Sequence, residues 1–500
     1  MRASLLSALI LAACHSAQVP APDDSGPGPE DTAPELDAWL EAAPAFDPIL
    51  GGPLAIRTVA QGSPETVLEV LDAEGALVAA VTDTWDGRDQ AGAWAPAGLY
   101  TLHLTASVGA VSIEREKAVR VVRCGVLAAW AEGDLGHSAR FVPLWWHGSR
   151  TLQGPELAFT QADALEDAHG LPVQLPAPGD ELLALVEGAA LPVGFTWDSR
   201  PLLTLALGDA TVLGSSGLPG AGVRLEVEGW QALSGAEALE PAVPVLLQAQ
   251  DPLGTGPGVL DEVLRLRFLV DDEEGTAWEI GVQELPVRWY LLLDEPALEG
   301  PEPWNTAWVA AIDPALRALD GTAPTAEAAL DGLVRWIFED LGLSYDTRYG
   351  ASYYTVYEQG WGPAVFDLSS FLRQGAGRVV NCSDCASILT AWAMMLGAPL
   401  DYAIVLENFD LNYILAIGGD TFTHCPFGGW GCSFSYHAVT TNDAGATIWD
   451  ATLALDGDED PGAQPCERLL VQAVAGQEYL ERLVMRGRAA YGYFGQTRIQ

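Results

Sequence analysis

The sequence predicts a multidomain protein in which an all-β N-terminal part, built of β-sandwiches, precedes an α+β domain. Between residues 48 and 296, short alternating strand patterns are separated by Gly and Pro turns, and no helix pattern of useful length intervenes. From Pro303 onward, apolar residues recur at helical spacing instead. Residues 15–47 are rich in Pro, Ala, Asp and Glu without any period, which is typical of a flexible tether.

Residues 1–14 predict an export signal, because MRASLLSALILAAC has one arginine, a short apolar run and small residues before Cys14. Its end, LAAC, resembles the bacterial lipobox, which implies cleavage and lipidation at Cys14. An ordinary signal peptide with an incidental cysteine is the alternative. We therefore expect an exported protein, held by acyl chains at the bacterial cell envelope, on the outer membrane or the cell surface.

The charge of the chain excludes nucleic acid as a partner. It carries 68 acidic and 24 basic residues, for a formal net charge of −44, and so repels phosphate backbones. The acidic runs 271–274 and 456–460 lack an EF-hand register, so no metal or cofactor is predicted. Lys117 is the single lysine, and self-crosslinking through lysine is not expected.

The segment 48–125 predicts a β-sandwich. It contains WDGRD at 85–89, Gly92 and PAGLY at 96–100, which together resemble the immunoglobulin-like domain of the flagellar hook-capping protein family. That resemblance implies the fold rather than an activity, with Trp85 and Tyr100 in the core.

Residues 126–296 predict one or two further β-rich domains without a catalytic constellation. The cluster Trp145-Trp146-His147 in this region is either a carbohydrate or peptide contact, or part of the core, and we favour the core.

The candidate nucleophile lies in Asn381–Gly397, NCSDCASILTAWAMMLG. From Cys385 onward the apolar residues follow helical spacing, and Gly397 with Pro399 ends the predicted helix. Cys382 therefore lies at the first turn, where backbone N–H groups and the helix dipole favour a thiolate. Cys385 is one turn further, in line with the apolar residues, and is predicted to be a core thiol or a disulfide partner.

A nucleophilic cysteine needs a base and a group that orients the base, and both residue types follow downstream. His437 lies in an alternating, strand-like run, residues 442–445 predict a turn, and Asp450 closes the returning strand. Such a hairpin places His437 and Asp450 side by side, facing the helix that carries Cys382.

These residues resemble the transglutaminase-like domain of the papain-like cysteine enzymes. The matching positions are Cys382, Asp384, Ala386, Gly397, Pro399, His437-Ala438 and Trp449-Asp450-Ala451-Thr452. The resemblance implies that Cys382 is the nucleophile, His437 the general base and Asp450 the orienting acid. Two positions depart from the family: Asn381 replaces a small residue, and Val439 replaces a common aromatic.

Several competing uses of the same residues remain open. His424 is an alternative base for Cys382, and zinc is a rival use of His424, Cys425, Cys432 and His437, although their spacing fits no common zinc pattern. Cys425 and Cys432 flank a Gly-rich turn, which in an exported protein favours a local disulfide between them.

The remaining segments complete the predicted catalytic domain at 303–460. Thr325 is the predicted N-cap of an amphipathic helix that ends at Gly342, and the Tyr-rich loop from Tyr345 to Phe366 is predicted to line the cleft. Residues 461–500 are predicted to form a helical tail against this domain.

The sequence therefore predicts an exported, lipid-anchored cysteine enzyme that acts on an amide bond through an acyl-thioester. Hydrolysis, as a peptidase or amidase, is favoured over amine crosslinking, and the expected substrate is a protein or peptide, such as an envelope peptide. The alternative is a non-catalytic surface scaffold or adhesion lipoprotein that carries a degenerate copy of the domain.

Overall fold

The structure is a computed structural model of the chain. It describes residues 36–122, 126–131, 141–142, 144–145, 183–184, 191–207, 223–234, 245–272, 274–298, 306–358, 363–374, 377–419, 433–443, 445–460, 467–495 and 497–499. Cys14, His424, the pair Cys425 and Cys432, and the side chains of the Trp145-Trp146-His147 cluster lie outside the described residues. Their roles stay predictions from the sequence.

The N-terminal segment forms two sheets around one core. Its strands are β1 (Ala38–Ala42), β2 (Ala45–Phe46), β3 (Leu54–Ala60), β4 (Glu65–Leu71), β5 (Leu77–Val81), β6 (Thr84–Trp85), β7 (Gly98–Val108) and β8 (Val111–Val121). They are ordered β1-β3-β6 and β2-β8-β7-β4-β5. Trp85 and Tyr100 are buried in the shared core with ring centroids 5.1 Å apart, as predicted.

This segment begins earlier than the sequence indicated. Strands β1 and β2 lie within the last part of the predicted tether, and Ala38, Ala42 and Phe46 are buried in the core. The Pro- and acid-rich composition of the preceding residues led to the prediction of a tether, but the short run of small and apolar residues in β1 is enough to add an edge strand.

The middle segment also forms two sheets around one core. Its strands are β9 (Val126–Ala131), β10 (Phe141–Val142), β11 (Leu144–Trp145), β12 (Leu183–Ala184), β13 (Leu191–Thr196), β14 (Leu202–Leu207), β15 (Val223–Val227), β16 (Trp230–Ser234), β17 (Val245–Ala249), β18 (Gly258–Asp271) and β19 (Ala277–Leu292). Ten of them are ordered β12-β9-β14-β17-β16 and β10-β13-β19-β18-β15, and β11 lies outside both sheets. The rings of Trp230 and Trp289 stack at 5.5 Å in the core between them.

The C-terminal segment is α+β. Its helices are α1 (Val309–Ala318), α2 (Ala326–Arg335), α3 (Leu368–Leu372), α4 (Cys382–Met395) and α5 (Gly476–Leu483), and a π-helical turn, Trp336–Asp340, continues α2. Its strands are β20 (Ala307–Trp308), β21 (Ser344–Tyr345), β22 (Thr355–Tyr357), β23 (Ala364–Phe366), β24 (Val379–Val380), β25 (Asp401–Leu411), β26 (Ile414–Ala416), β27 (Ser433–Asn442), β28 (Thr447–Asp456), β29 (Arg468–Ala475), β30 (Val484–Gly487), β31 (Ala490–Gly495) and β32 (Thr497–Ile499).

The main sheet of this segment has the order β26-β28-β27-β25-β30, with β29 also pairing with β28 and β31 with β25. Helix α4 packs against β27 and β28, and α1 and α2 pack against α4. The tail therefore differs from the prediction, because strands flank its one described helix and extend the sheet. The residues of β29 satisfy backbone hydrogen-bonding groups by pairing with β28.

Helix α4 lies at the centre of this arrangement. The sequence predicted a buried helix with an apolar stripe facing the core, and every residue from Cys382 to Met395 is buried. The helix ends where Gly397 adopts a φ of +80°, and a Cβ there would lie 2.4 Å from the backbone carbon of Asp294. Thr325 caps α2 as predicted, accepting a hydrogen bond from the Ala328 amide at 3.2 Å.

No helix in the described parts of the chain combines the length and the apolar character needed to cross a membrane.

Candidate active site

Cys382 is the first residue of α4 and is only 3% exposed. The preceding residue, Asn381, is the N-cap: its side-chain oxygen accepts from the Asp384 amide at 3.0 Å, and Asp384 accepts in return from the Asn381 amide at 3.3 Å. This capping box gives Asn381 a structural role at the start of the helix. It fixes the cysteine at the positive end of the helix dipole.

Asp384 also ties the Tyr-rich loop to the start of the helix. Its fully buried carboxylate accepts from the Ser352 hydroxyl at 2.8 Å and from the amides of Tyr353 and Tyr354, each at 2.9 Å. A buried carboxylate persists only when donors surround it, and this one has four. The loop is thereby held beside Cys382.

His437 lies on β27, opposite Val405 of β25, and is fully buried. The predicted hairpin is present: the Gly445 amide donates to the Asn442 carbonyl at 3.2 Å, between β27 and β28. The imidazole stacks on the ring of Phe434 with their centroids 5.2 Å apart. Packing on Phe434 restricts rotation of the imidazole about the Cβ–Cγ bond of His437.

Asp450 lies on β28 and is 2% exposed. His437 Nε2 donates to its Oδ2 at 2.8 Å, and the hydroxyl of Tyr479 donates to the same oxygen, also at 2.8 Å. The Thr452 amide donates to Oδ1 at 2.7 Å. The carboxylate is therefore held at both oxygens and holds the imidazole in turn.

The charge state of His437 is set by its partner. Burial by itself disfavours the imidazolium, but the Asp450 carboxylate outweighs it and raises the pKa of His437 from 6.5 to about 10. His437 is consequently protonated at neutral pH, with one N–H directed at Asp450.

The other ring nitrogen, Nδ1, is buried and has no hydrogen-bond partner among the described residues. The Cys382 side chain interacts with the same imidazole, and this interaction also raises the pKa of His437, favouring the imidazolium. Because Nε2 is occupied by Asp450, we assign Nδ1 as the nitrogen that faces Cys382. The structure thus brings the three predicted residues together in the order thiol, imidazole, carboxylate.

Tyrosine hydroxyls surround Cys382. Ser383 Oγ is hydrogen-bonded to Tyr357 at 2.8 Å and to Tyr436 at 3.2 Å, and the hydroxyls of Tyr357 and Tyr402 are bonded to each other. The hydroxyl of Tyr345 interacts with the thiol itself. Burial raises the pKa of each of these tyrosines, so all four stay neutral hydroxyl groups at neutral pH.

Cys385 has a different environment, although it lies on the same helix. It is fully buried and free, and burial raises the pKa of its thiol well above the usual value. Of the two predicted roles for Cys385, the structure shows the core thiol.

Sequence reasoning found part of this site and missed the rest. Tyr345 and Tyr357 belong to the loop predicted to line the cleft, whereas Tyr402, Tyr436 and Tyr479 were not singled out. Tyr436 directly precedes His437, but successive residues of a strand point to opposite faces, so adjacency alone does not mark it. Nothing local marks Tyr402 or Tyr479, because their contacts depend on strand pairing and helix docking. In the described residues, no group of three or more His, Cys, Asp or Glu side chains is arranged to hold a metal ion.

Comparison with known proteins gives weak neighbours in fold only. No protein-family model and no curated protein matches the sequence. A transglutaminase from red sea bream is 13% identical, with a TM-score of 0.28, over 52% of this chain and 46% of that one. The chain thus spans less than half the length of that neighbour.

Two further neighbours are β-domain proteins. The three N-terminal domains of the bacteriophage RB49 outer capsid protein Hoc are 8% identical, with a TM-score of 0.24, over 52% of this chain and 70% of that one. Fibronectin(III)-like modules of Clostridium thermocellum CbhA are 11% identical, with a TM-score of 0.18, over 53% and 98%. At such low TM-scores these similarities say nothing about activity.

Proposed function

We propose that the chain is a cysteine-dependent enzyme that cleaves an amide bond through an acyl-thioester on Cys382. The observation that carries this proposal is the 2.8 Å bond between His437 Nε2 and Asp450, which leaves Nδ1 for the Cys382 thiol, on the first turn of a buried helix. A thiol, an imidazole and a carboxylate in this order are the parts of a nucleophile activated by an oriented base.

In the acylation step, the Cys382 thiolate attacks the carbonyl carbon of the substrate amide. The imidazolium of His437 stabilises the thiolate before attack and gives its Nδ1 proton to the departing amine, and the C–N bond breaks. Asp450 keeps the ring oriented and stabilises its positive charge until the proton leaves. The neutral tyrosine hydroxyls near Cys382 supply hydrogen-bond donors for the carbonyl oxygen as it gains negative charge.

In the second step, water resolves the acyl-thioester. Neutral His437 takes a proton from the water, whose oxygen attacks the acyl carbon, and the C–S bond breaks to release a carboxylic acid and the thiolate. An amine in place of water gives transfer instead of hydrolysis. We propose hydrolysis, as a peptidase or amidase on a protein or peptide, because any opening that admits a substrate to the buried Cys382 also admits water.

The site is closed in this structure, with Cys382 3% exposed and His437 fully buried. A substrate carbonyl reaches the sulfur only if a covering side chain moves. The half-buried tyrosines Tyr345, Tyr357 and Tyr436 are packed against the small buried cluster that contains Cys382 and are the candidates for that movement.

We also propose that the protein is exported and anchored by lipid on Cys14. The support is the sequence of residues 1–14 alone. Metabolic labelling with an azido fatty acid, in bacteria that express the full chain, tests the anchor. Cys14→Ser is expected to abolish incorporation of label while Cys382→Ser retains it, and equal labelling of both variants would exclude the anchor.

The enzymatic proposal is tested by alkylation of the folded chain, residues 15–500, with iodoacetamide at pH 7, read by mass spectrometry. We expect Cys382 to react and Cys385 to stay unmodified until the protein is denatured. His437→Ala is expected to slow alkylation of Cys382 at least about tenfold, because the imidazolium no longer stabilises the thiolate. The matched control is His103→Ala on β7, remote from the site.

If Cys382 is no more reactive than Cys385 in the folded wild type, the enzymatic proposal is wrong. The chain would then be the non-catalytic surface scaffold predicted as the alternative. If His437→Ala and His103→Ala react alike, the thiol is accessible without being activated, and the assigned base is wrong.

A further inference from the structure

The hydroxyl of Tyr479 on α5 donates to Asp450 Oδ2, the same oxygen that accepts from His437. The three side chains are buried together: Tyr479 and His437 are fully buried, and Asp450 is 2% exposed. A buried tyrosine hydroxyl is costly to leave unpaired, and here its partner is the carboxylate of the proposed triad.

The carboxylate of Asp450 has three donors in the described residues, and each has a separate effect. Thr452 holds Oδ1 through its backbone amide, and His437 and Tyr479 share Oδ2, with both distances at 2.8 Å. Two donors on one oxygen fix the plane of the carboxylate and divide its negative charge. Burial and the neighbouring Asp450 raise the pKa of Tyr479 well above its usual value, so the hydroxyl stays a donor.

The helix that carries Tyr479 is docked on the hairpin that carries the other two residues. At its first residue, the Gly476 amide donates to the Ala446 carbonyl at 2.9 Å. A Cβ on Gly476 would lie 2.0 Å from the carbonyl oxygen of Gly445, so only glycine permits this approach. The position of Tyr479 is therefore tied to the turn between β27 and β28.

We propose that Tyr479 is a positioning residue of the catalytic site, which holds the Asp450 carboxylate in place and limits how strongly it binds the His437 imidazolium. This inference rests on the function proposed above. It also places residues of the C-terminal tail in the site, since the hydroxyl of Tyr479 is as close to Asp450 as the imidazole is.

Tyr479→Phe tests the proposal, because it removes the hydroxyl and keeps the ring that fills the core. The readout is the pH dependence of Cys382 alkylation by iodoacetamide between pH 5 and 11, in which loss of the imidazolium proton produces a step. With one donor fewer, Asp450 binds the imidazolium more tightly, and we expect the step to move upward by about one pH unit. The control is Tyr491→Phe, whose hydroxyl donates to the carbonyl of Gly476 on the same helix.

A step that stays within about 0.3 pH units of the wild type, or that moves downward, would overturn the positioning role. The same conclusion holds if Tyr491→Phe moves the step equally, because the effect would then come from the docking of the helix. A wild-type Cys382 that is inert at every pH refutes the enzymatic proposal and this inference together. A reactive wild type with an unmoved step refutes this inference alone.

If Tyr479→Phe does not fold, the double variant Tyr479→Phe/Asp450→Asn decides the question. Removal of the buried charge is expected to restore folding if the hydroxyl acts through the carboxylate. A double variant that is as unfolded as the single one shows that the hydroxyl of Tyr479 supports the fold by a route other than the Asp450 carboxylate, and it rejects the positioning role.

Discussion

Replacing Asp450 by asparagine is expected to change the charge state of His437 and, through it, the reactivity of Cys382. Burial lowers the pKa of His437, but the Asp450 carboxylate, with a smaller contribution from Cys382, raises it from 6.5 to about 10. The difference, 10 − 6.5, is about 3.5 units, or at most about 5 kcal/mol in favour of the imidazolium at about 1.4 kcal/mol per unit. Without the charge, burial remains, and the pKa of His437 is expected to fall below 6.5.

The assay is alkylation of Cys382 across pH, with Cys385 as the unreactive reference in the same molecule. In the wild type, the step that marks loss of the imidazolium proton is expected near pH 10, as set by the pKa of His437. In Asp450→Asn it is expected below pH 6.5, with a rate at pH 7.5 reduced at least about tenfold, since the thiolate has lost its cationic partner.

The control for this substitution is Asp331→Asn on α2. The Asp331 carboxylate accepts a hydrogen bond from the indole of Trp449 at 3.0 Å, and Trp449 directly precedes Asp450. Asp331→Asn therefore makes the same carboxylate-to-amide change close to the site. We expect its alkylation profile to match the wild type. If Asp450→Asn also keeps the step near pH 10, Asp450 does not set the charge of His437, and the reasoning is refuted.

The same pair makes folding stability depend on pH in a defined direction. The pKa of His437 is higher in the folded state than its ordinary value, so the folded state holds the proton more tightly. The stabilisation is complete below about pH 6.5 and is lost as pH rises through about 10. Urea unfolding should show this decline in the wild type, whereas a decline of equal size in Asp450→Asn would contradict the assignment.

Three further predictions concern the support of the site. Asp384→Ala leaves four donors without their acceptor. It should therefore lower the free energy of unfolding, measured with urea, by at least about 3 kcal/mol. A loss below about 1 kcal/mol would show that these hydrogen bonds do not hold the loop to the helix. Gly397→Ala should lower the free energy of unfolding by at least about 3 kcal/mol. The control Gly321→Ala should lower it by about 1 kcal/mol, because Gly321 has a similar positive φ but open space around it. Equal losses would show that the close approach of the Asp294 backbone to Gly397 is unimportant. Cys385→Ala should change the alkylation rate of Cys382 by less than about twofold, and a larger loss would mean that Cys385 takes part in the reaction.

The sequence by itself determined the local parts of the site. Apolar periodicity predicts the helix of Cys382, and Gly397 predicts where it ends. Capping chemistry identifies Thr325 as an N-cap, and turn chemistry predicts the hairpin between β27 and β28. Each of these signals depends on residues a few positions apart, so it is legible without the fold. The catalytic roles of Cys382, His437 and Asp450 stay predictions, which the experiments above test.

Only the tertiary structure decided what surrounds those three residues. Tyr479 is 29 residues from Asp450 in sequence, and Asp384 is 30 residues from Tyr354. Neither contact has a local signal, because each forms when separate strands and helices pack together. The charge of His437 was undetermined for the same reason: burial and a carboxylate at 2.8 Å act in opposite directions, and only their positions in the fold decide which effect is larger.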